Sequence, residues 1–223
     1  MDKRAFKTTV YTELSKVVKA MANPVRLEII DLLAQGPFTV EQLATSIDQS
    51  VANTSQHLQN LKNAALVQVN KQGNFVLYTL SSKSVYQTWL SLRTLGMEFN
   101  AEIEKTIGDF RQEVNATVQG IKAENLSEML EREEVLLLDV RPEEEFHRGH
   151  IEHALSIPIS RLAESLENLT KKKTLVVYCR GPFCVYADQA VALLISKGFK
   201  AIRLEEGYGE WALLGLPTRQ TED

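Results

Sequence analysis

Cys179 and Cys184 are the two cysteines of a 223-residue chain, and both lie in the stretch VVYCRGPFCVYA. Two thiols five positions apart can close a disulfide, supply half of a metal site, or act as a nucleophile with a partner. Two cysteines fall short of the four ligands of structural zinc. They are also too few for a secreted disulfide framework, and in a reducing compartment a close pair is more often catalytic, redox-active or metal-binding than structural. The run TLVVY reads as a strand ending at Cys179, and VYADQAVALLISKG reads as a helix starting after Cys184. Cys179, Arg180, Gly181, Pro182, Phe183 and Cys184 therefore form a loop at the carboxyl end of a strand, where parallel α/β sheets collect ligands. Backbone N–H groups of that loop, together with the helix N-terminus, stabilise a thiolate, and at such sites a cysteine pKa of about 8.5 falls to roughly 3.5 to 7.5. Arg180 either adds positive charge there or points out to a substrate. Cys184 is either a second reactive thiol or a small apolar filler.

The elements that must position this loop follow KAENLSEMLEREE, where short apolar runs alternate with helix-like pieces: VLLLDV, PEEEFHRGH, SRLAESLENL, TLVVYC, VYADQAVALLISKG, AIRLEEG. Runs without polar alternation suit parallel strands buried on both faces. An α/β domain with a parallel sheet is expected over residues 120–223.

The first part of the chain has a different grammar. In MANPVRLEIIDLLAQG, Asn23 is placed as an N-cap, Pro24 as the first helical residue and Gly36 as a stop. Thr39 with Gln42 three residues on fits a capping box for a second short helix. A third helix, SVANTSQHLQNLKNAAL, is expected to bury Val51, Leu58 and Leu61 and to present Asn53, Thr54, Gln56, His57 and Asn60 outward. Asn and Gln can pair bidentately with adenine in the major groove. LVQVN and FVLYTL around KQGN read as a hairpin carrying Lys71 at its tip. Helix, helix, outward-facing helix and hairpin make a mainly α winged helix-turn-helix, expected over residues 1–96.

Across roughly residues 12 to 95 the sequence resembles the ArsR/SmtB family of bacterial repressors, through VVKAMANPVRLEIIDLLAQGPFTVEQLA, NTSQHLQNLKNAALV and NKQGNFVLYTL. The resemblance implies that Asn53, Ser55, Gln56 and His57, with Thr54 beside them, face bases, while Lys62, Lys71 and Asn74 meet phosphates of a double-stranded operator. It also implies a homodimer. Metal-sensing members carry Cys, or Asp, His and Glu ligands, on the helix before recognition or on the last helix. Here those segments are TVEQLATSI and SVYQTWLSLRTLGMEF, without Cys or His, so the usual inducer sites are absent.

Roughly residues 120 to 220 resemble a rhodanese domain, through LLLDVRPEEEFHRGHIEHALSIPISRL, VVYCRGPFC and LEEGYGEWALLGLP. The resemblance implies that Cys179 takes sulfur from thiosulfate, a polysulfide or a low-molecular-weight persulfide, holds it as a persulfide, and passes it to a thiol acceptor. The backbone from Arg180 to Cys184 would cradle the anionic sulfur. Asp139 and Arg141 match motif positions that support the loop. Phosphatases and arsenate reductases of this fold use C-x5-R, and the arginine position is Val185 here. Many sulfurtransferases place an arginine one position earlier, which is Cys184. The missing cation weakens the case for fast thiosulfate turnover and leaves a thiol able to resolve a persulfide on Cys179.

Between the two parts, Phe99, Ile103, Ile107, Phe110, Val114 and Val118 step by helical spacing, so residues 97–119 are expected to form a connecting helix that dimerises or packs onto the second domain. His147, His150 and His153 stand three apart, but His150 belongs to the Gly-His-Ile element, where a structural hydrogen bond suffices. No metal and no cofactor are expected.

The net charge of −4 conceals a gradient: residues 1–96 hold ten Lys/Arg against six Asp/Glu, and the remainder fifteen against twenty-three. A mildly basic front permits nucleic-acid binding without establishing it. No apolar run approaches the roughly 20 residues of a membrane helix, and MDKRAFKTTVYTELSK lacks the apolar stretch of a signal peptide, so a cytoplasmic protein is expected. Two functions remain open. One is a transcription regulator, a repressor by family resemblance, whose DNA binding follows the sulfur or thiol-redox state of Cys179. The other is a sulfurtransferase whose DNA-binding domain only locates or dimerises it.

Overall fold

The computed structural model describes residues 2–114 and 120–220. The chain divides into two compact units, the boundary falling between Thr94 and Leu95.

The first unit contains α1 (Lys3–Met21), α2 (Pro24–Leu33), α3 (Val40–Ser46), α4 (Val51–Asn63), the hairpin β1 (Val67–Gln72) and β2 (Phe75–Leu80), and most of α5 (Lys83–Phe99). Its local stops and starts are those the sequence encodes. The Asn23 side chain accepts from the Arg26 N–H, and Thr39 and Gln42 complete a reciprocal capping box. Ile29, Ile30, Leu43, Leu58 and Leu61 are fully buried and form the centre of the unit. Trp89 of α5 donates its indole N–H to Asp31 of α2 at 2.8 Å, tying the last helix to the first buried one. The hairpin is antiparallel, pairing Val67 with Leu80 through to Gln72 with Phe75.

The second unit contains α6 (Ala101–Glu113), β3 (Gly120–Ile121), α7 (Ala123–Glu131), β4 (Val135–Asp139), α8 (Glu143–Arg148), β5 (His150–Ile151), β6 (Leu155–Ser156), α9 (Leu162–Ser165), β7 (Thr174–Tyr178), α10 (Val185–Ser196), β8 (Ala201–Leu204), α11 (Tyr208–Leu213) and β9 (Thr218–Arg219). A five-stranded parallel sheet runs in the order β3-β8-β7-β4-β6, and β5 pairs with β9 in a separate antiparallel ribbon. Both faces of the sheet are covered, which is why its strands are apolar without alternation. Leu138, Leu175 and Val177 pack with Ala187, Ala190, Val191 and Leu194 of α10. Leu137, Val176 and Tyr178 face the other way, against Leu126 of α7 and Trp211 of α11. The expected two-domain class, a mainly α winged helix-turn-helix followed by a parallel α/β domain, is the class observed.

The connecting stripe is not one helix. It breaks at Asn100, whose side chain leaves helical use to accept from the Glu102 N–H and cap α6. Phe99, at the end of α5, is 74% exposed. Ile103, Ile107 and Phe110 of α6 line a cavity within the second unit together with Pro182, Phe183 and Cys184. Val118 lies outside the described residues. No described helix is long and apolar enough to cross a membrane.

Leu137 is 1% exposed at the centre of the parallel sheet. Leu137→Ala is expected to cost the second unit about 2–5 kcal/mol through lost transfer energy and a residual cavity. Urea unfolding followed by circular dichroism measures this as a lowered midpoint.

Candidate functional site

The cysteine loop leaves β7 at its carboxyl end and enters α10 with Cys184 as N-cap. Cys179 and Cys184 are joined as a disulfide with their Cα atoms 6.2 Å apart. Cys179 is 2% exposed and belongs to the core between the sheet and α10, while Cys184 is half-buried at the wall of a cavity. Gly181 has φ 153°, a conformation L side chains avoid, which explains a glycine in the middle of the loop. The Cys184 N–H donates to the Gly181 carbonyl at 3.0 Å, so one of the expected cradle donors closes the loop on itself. Pro182 is half-buried and Phe183 is 40% exposed, beside the same cavity.

The arginines close to this loop face carboxylates. Arg180 donates through Nε and Nη2 to the carboxylate of Glu145, at 2.5–3.2 Å, with Glu145 only 2% exposed. Burial pulls the Arg180 guanidinium down, and the hydrogen bond and charge of Glu145 outweigh it, leaving it raised. Arg180 is thus turned onto Glu145, which is neither of the two roles the sequence leaves open for it. Arg203 of β8 bonds both carboxylate oxygens of Asp188 on α10 at 2.9 Å and reaches the Gly181 carbonyl at 3.4 Å. Arg111 of α6 approaches Asp188 at 3.6 Å.

Asp139 and Arg141 form a second knot just below. Arg141 is fully buried and donates to both oxygens of Asp139, at 2.6–3.1 Å, and to the Gly149 carbonyl at 2.8 Å. Its guanidinium lies 4.5 Å from the Tyr208 ring centroid and 5.5 Å from that of Tyr178. Tyr208 in turn donates its backbone N–H to the Cys179 carbonyl at 3.2 Å. Burial pushes both tyrosine hydroxyls up, so they stay protonated. Gly207 lets the two segments touch, because an added Cβ would collide with the Arg180 carbonyl. His150 sits over the Phe146 ring, 3.7 Å between centroids, with Nδ1 2.9 Å from the Phe146 carbonyl.

In the first unit, α4 starts at Ser50, whose hydroxyl accepts from the Asn53 N–H. Ser55, Gln56 and Lys62 are exposed, and so are Lys71 and Asn74 on the hairpin. Asn53 is half-buried and donates to Gln49 at 2.8 Å. His57 is half-buried, and burial first, Arg26 second, holds its imidazole below the usual range. Thr54 corrects the expectation of an outward residue: it is fully buried, and its hydroxyl donates to the Ser50 carbonyl. Val51, expected inside, is 44% exposed. The buried face is Thr54, Leu58 and Leu61, spaced four and three, which leaves Val51 one turn beyond the core.

The sequence reading missed Glu145, Asp188, Arg203, Gly207 and Tyr208. The signal for Glu145 and Asp188 was a carboxylate in an otherwise apolar or helical segment that must be buried, hence paired. Nothing local marks Gly207 as the point of contact with Arg180. Asp139→Asn is expected to destabilise the second unit by about 3–5 kcal/mol, because it leaves the Arg141 charge buried with its counter-charge removed. A shift of the urea midpoint at pH 7 measures it, and an unchanged midpoint would contradict it.

Two family models match the chain. The arsR family of bacterial regulatory proteins covers residues 23–69, and the rhodanese-like domain covers residues 122–214. The chain is 36% identical over 211 residues to the HTH-type transcriptional regulator Rv0324 of Mycobacterium tuberculosis, an alignment covering 95% of this chain and 92% of that protein. A sulfurtransferase of Allochromatium vinosum is 35% identical over 102 residues, covering 45% of this chain and 94% of its own. The transcriptional activator HlyU of Vibrio cholerae is 36% identical over 85 residues, covering 38% of this chain and 73% of its own. Sulfurtransferase likeness thus reaches only the second unit, whereas likeness to a regulator extends over both, and the chain belongs to the family of HTH-type transcriptional regulators that join an arsR-family winged helix to a rhodanese-like domain.

Proposed function

We propose that this regulator reports sulfur or thiol-redox state through the cysteine loop, with Cys179 as the sulfur acceptor and Cys184 as the resolving thiol. The observation that carries the reading is the pairing of the two sulfurs at the N-terminus of α10. The Cys179 thiolate attacks the sulfane sulfur of a polysulfide or organic persulfide; the donor S–S bond breaks and the donor leaves as a thiolate. The Cys184 thiolate then attacks the inner sulfur of the persulfide, forming the Cys179–Cys184 bond and releasing hydrosulfide. Two equivalents of a low-molecular-weight thiol reopen the disulfide, becoming oxidised to their own disulfide. The cycle needs no cofactor, and it suits a cytoplasmic protein, where reducing thiols are at hand.

Thiosulfate fits less well as donor. It is a dianion, and the arginines beside the loop already face Glu145 and Asp188. A slow donor favours a protein modified once over one that cycles many times, in keeping with the regulatory rather than the purely enzymatic reading.

On DNA, Ser55, Gln56 and His57, with Asn53 once it releases Gln49, are the proposed base-facing residues of α4, and Lys62, Lys71 and Asn74 the proposed phosphate contacts. Thr54 holds the helix in place rather than reading sequence. A helix-turn-helix protein reads a pseudo-palindrome as a dimer. Phe6, Val10, Leu14 and Val18 of α1, each 46–61% exposed, form an apolar stripe suited to a second copy of this chain. α1 is the proposed dimer contact, with the exposed Phe99 at the end of α5 as a second contribution.

Intact mass of the reduced protein after brief exposure to polysulfide tests the acceptor. Added sulfur is expected on wild type and on Cys184→Ser but not on Cys179→Ser, and Cys184→Ser should hold its persulfide longer because nothing resolves it. Addition that survives in Cys179→Ser would overturn the assignment. For DNA selected by the protein from a random duplex pool, Gln56→Ala is expected to lose about 1–3 kcal/mol of affinity and to relax one base position. Lys71→Ala should weaken all sequences alike and lower the salt slope by about one.

A further inference from the structure

A cavity of about 480 Å³ opens within the second unit between α6 and the cysteine loop. Its apolar wall is Ile103, Ile107 and Phe110 on one side and Phe183 and Val185 on the other, and the sulfur-bearing residue in that wall is Cys184. Its charged lining residues are Glu102, which is exposed, and Asp188, which is buried and paired with Arg203 and Arg111; no lysine or arginine lines it among the described residues. Volumes of roughly 300–1,000 Å³ hold small organic ligands.

Resting on the reading above, we propose that this cavity binds small apolar thiols, aliphatic or aromatic, and that they reopen the disulfide by attacking Cys184. Three observations converge on that class of ligand. The walls reward apolar surface, the exposed Glu102 carboxylate at the rim disfavours anionic thiols, and the reachable sulfur is Cys184, since Cys179 is 2% exposed. In the step, RS⁻ bonds to Cys184 Sγ, the Cys179–Cys184 bond breaks, and its electron pair leaves on Cys179 as a thiolate beside the α10 N-terminus, where backbone N–H groups favour negative charge. A second RS⁻ attacks the R sulfur of the mixed disulfide, yielding RSSR and the Cys184 thiolate. No further oxidant or reductant enters. The ligand also touches α6, so occupancy of the cavity and the state of the two sulfurs act on the same helix face.

The test uses the full-length oxidised protein with phenylmethanethiol and with 2-mercaptoethanesulfonate at equal thiolate concentration. Each opening rate is divided by the rate of the same thiol with a small linear disulfide, and adducts are trapped with acid and located by peptide mass. Phenylmethanethiol is expected to open the protein disulfide about tenfold faster on this scale, with the first adduct on Cys184. Ile107→Asp should bring the two normalised rates together. Equal rates in the wild type, or a first adduct on Cys179, would overturn the inference without touching sulfur acceptance by Cys179. Conversely, a Cys179 that takes no sulfur from polysulfide defeats the parent reading even where the thiol preference holds.

Discussion

A fully buried guanidinium has to be matched on every side, and Arg141 is matched by the Asp139 carboxylate, the Gly149 carbonyl and two tyrosine rings. Each partner comes from a different place in the chain: the end of β4, the turn after α8, the end of β7 and the start of α11. The cost of burying the ion pair alone is several kcal/mol per charge, recovered only when geometry and additional hydrogen bonds are good. Arg141 therefore fixes the relative positions of these four segments. The Cys179 carbonyl accepts from the N–H of Tyr208, so the position of Cys179, the proposed acceptor, follows from that arrangement.

Above the knot, charge is organised in pairs rather than left to face a ligand. Arg180 closes on Glu145, and Arg203 with Arg111 closes on Asp188. The loop is thus flanked by arginines that each face a carboxylate, Arg203 and Arg111 sharing Asp188. An oxyanion-transferring enzyme of similar build needs the opposite, a cation turned to the substrate. A loop with two thiols, paired charges and an apolar approach suits exchange between sulfur atoms, in which little charge has to be neutralised.

What could be read in the sequence was what is local or periodic. Asn23, the Thr39 and Gln42 box, the two hairpin strands and the apolar runs ending at Asp139 and Tyr178 each announce themselves within a few residues, and each is present in the fold. Cys179 stands at the end of a strand by the same kind of local signal. The failures are failures of range. Val51 and Thr54 differ by less than one helical turn, so whether the core begins at one or the other depends on how deeply α4 is inserted, which its own sequence does not specify. Asn100 fits a helix by spacing and ends one by its side chain, and the competition is settled by the Glu102 N–H that it captures. Arg180 with Glu145 is a pair 35 residues apart, and Arg203 with Asp188 a pair 15 apart. Such pairs need the sheet before they can be seen.

The apolar face of α6 faces the cysteine loop across a cavity instead of continuing an uninterrupted helix, which puts Cys184 on the same cavity as the segment that follows α5. A ligand or modification shifts a conformational equilibrium only by its differential interaction with the two states. The change from two thiols to a persulfide or a disulfide alters volume and charge at the wall of the cavity that α6 also lines. The direct measurement is a fluorescence-anisotropy titration of one selected DNA duplex with three forms of the protein: reduced, persulfidated at Cys179, and disulfide-closed. Coupling between the sulfur loop and the winged helix predicts affinities that differ by about 5- to 150-fold between reduced and modified forms. Superimposable titrations for all three would contradict it and leave the rhodanese-like unit without influence on DNA binding.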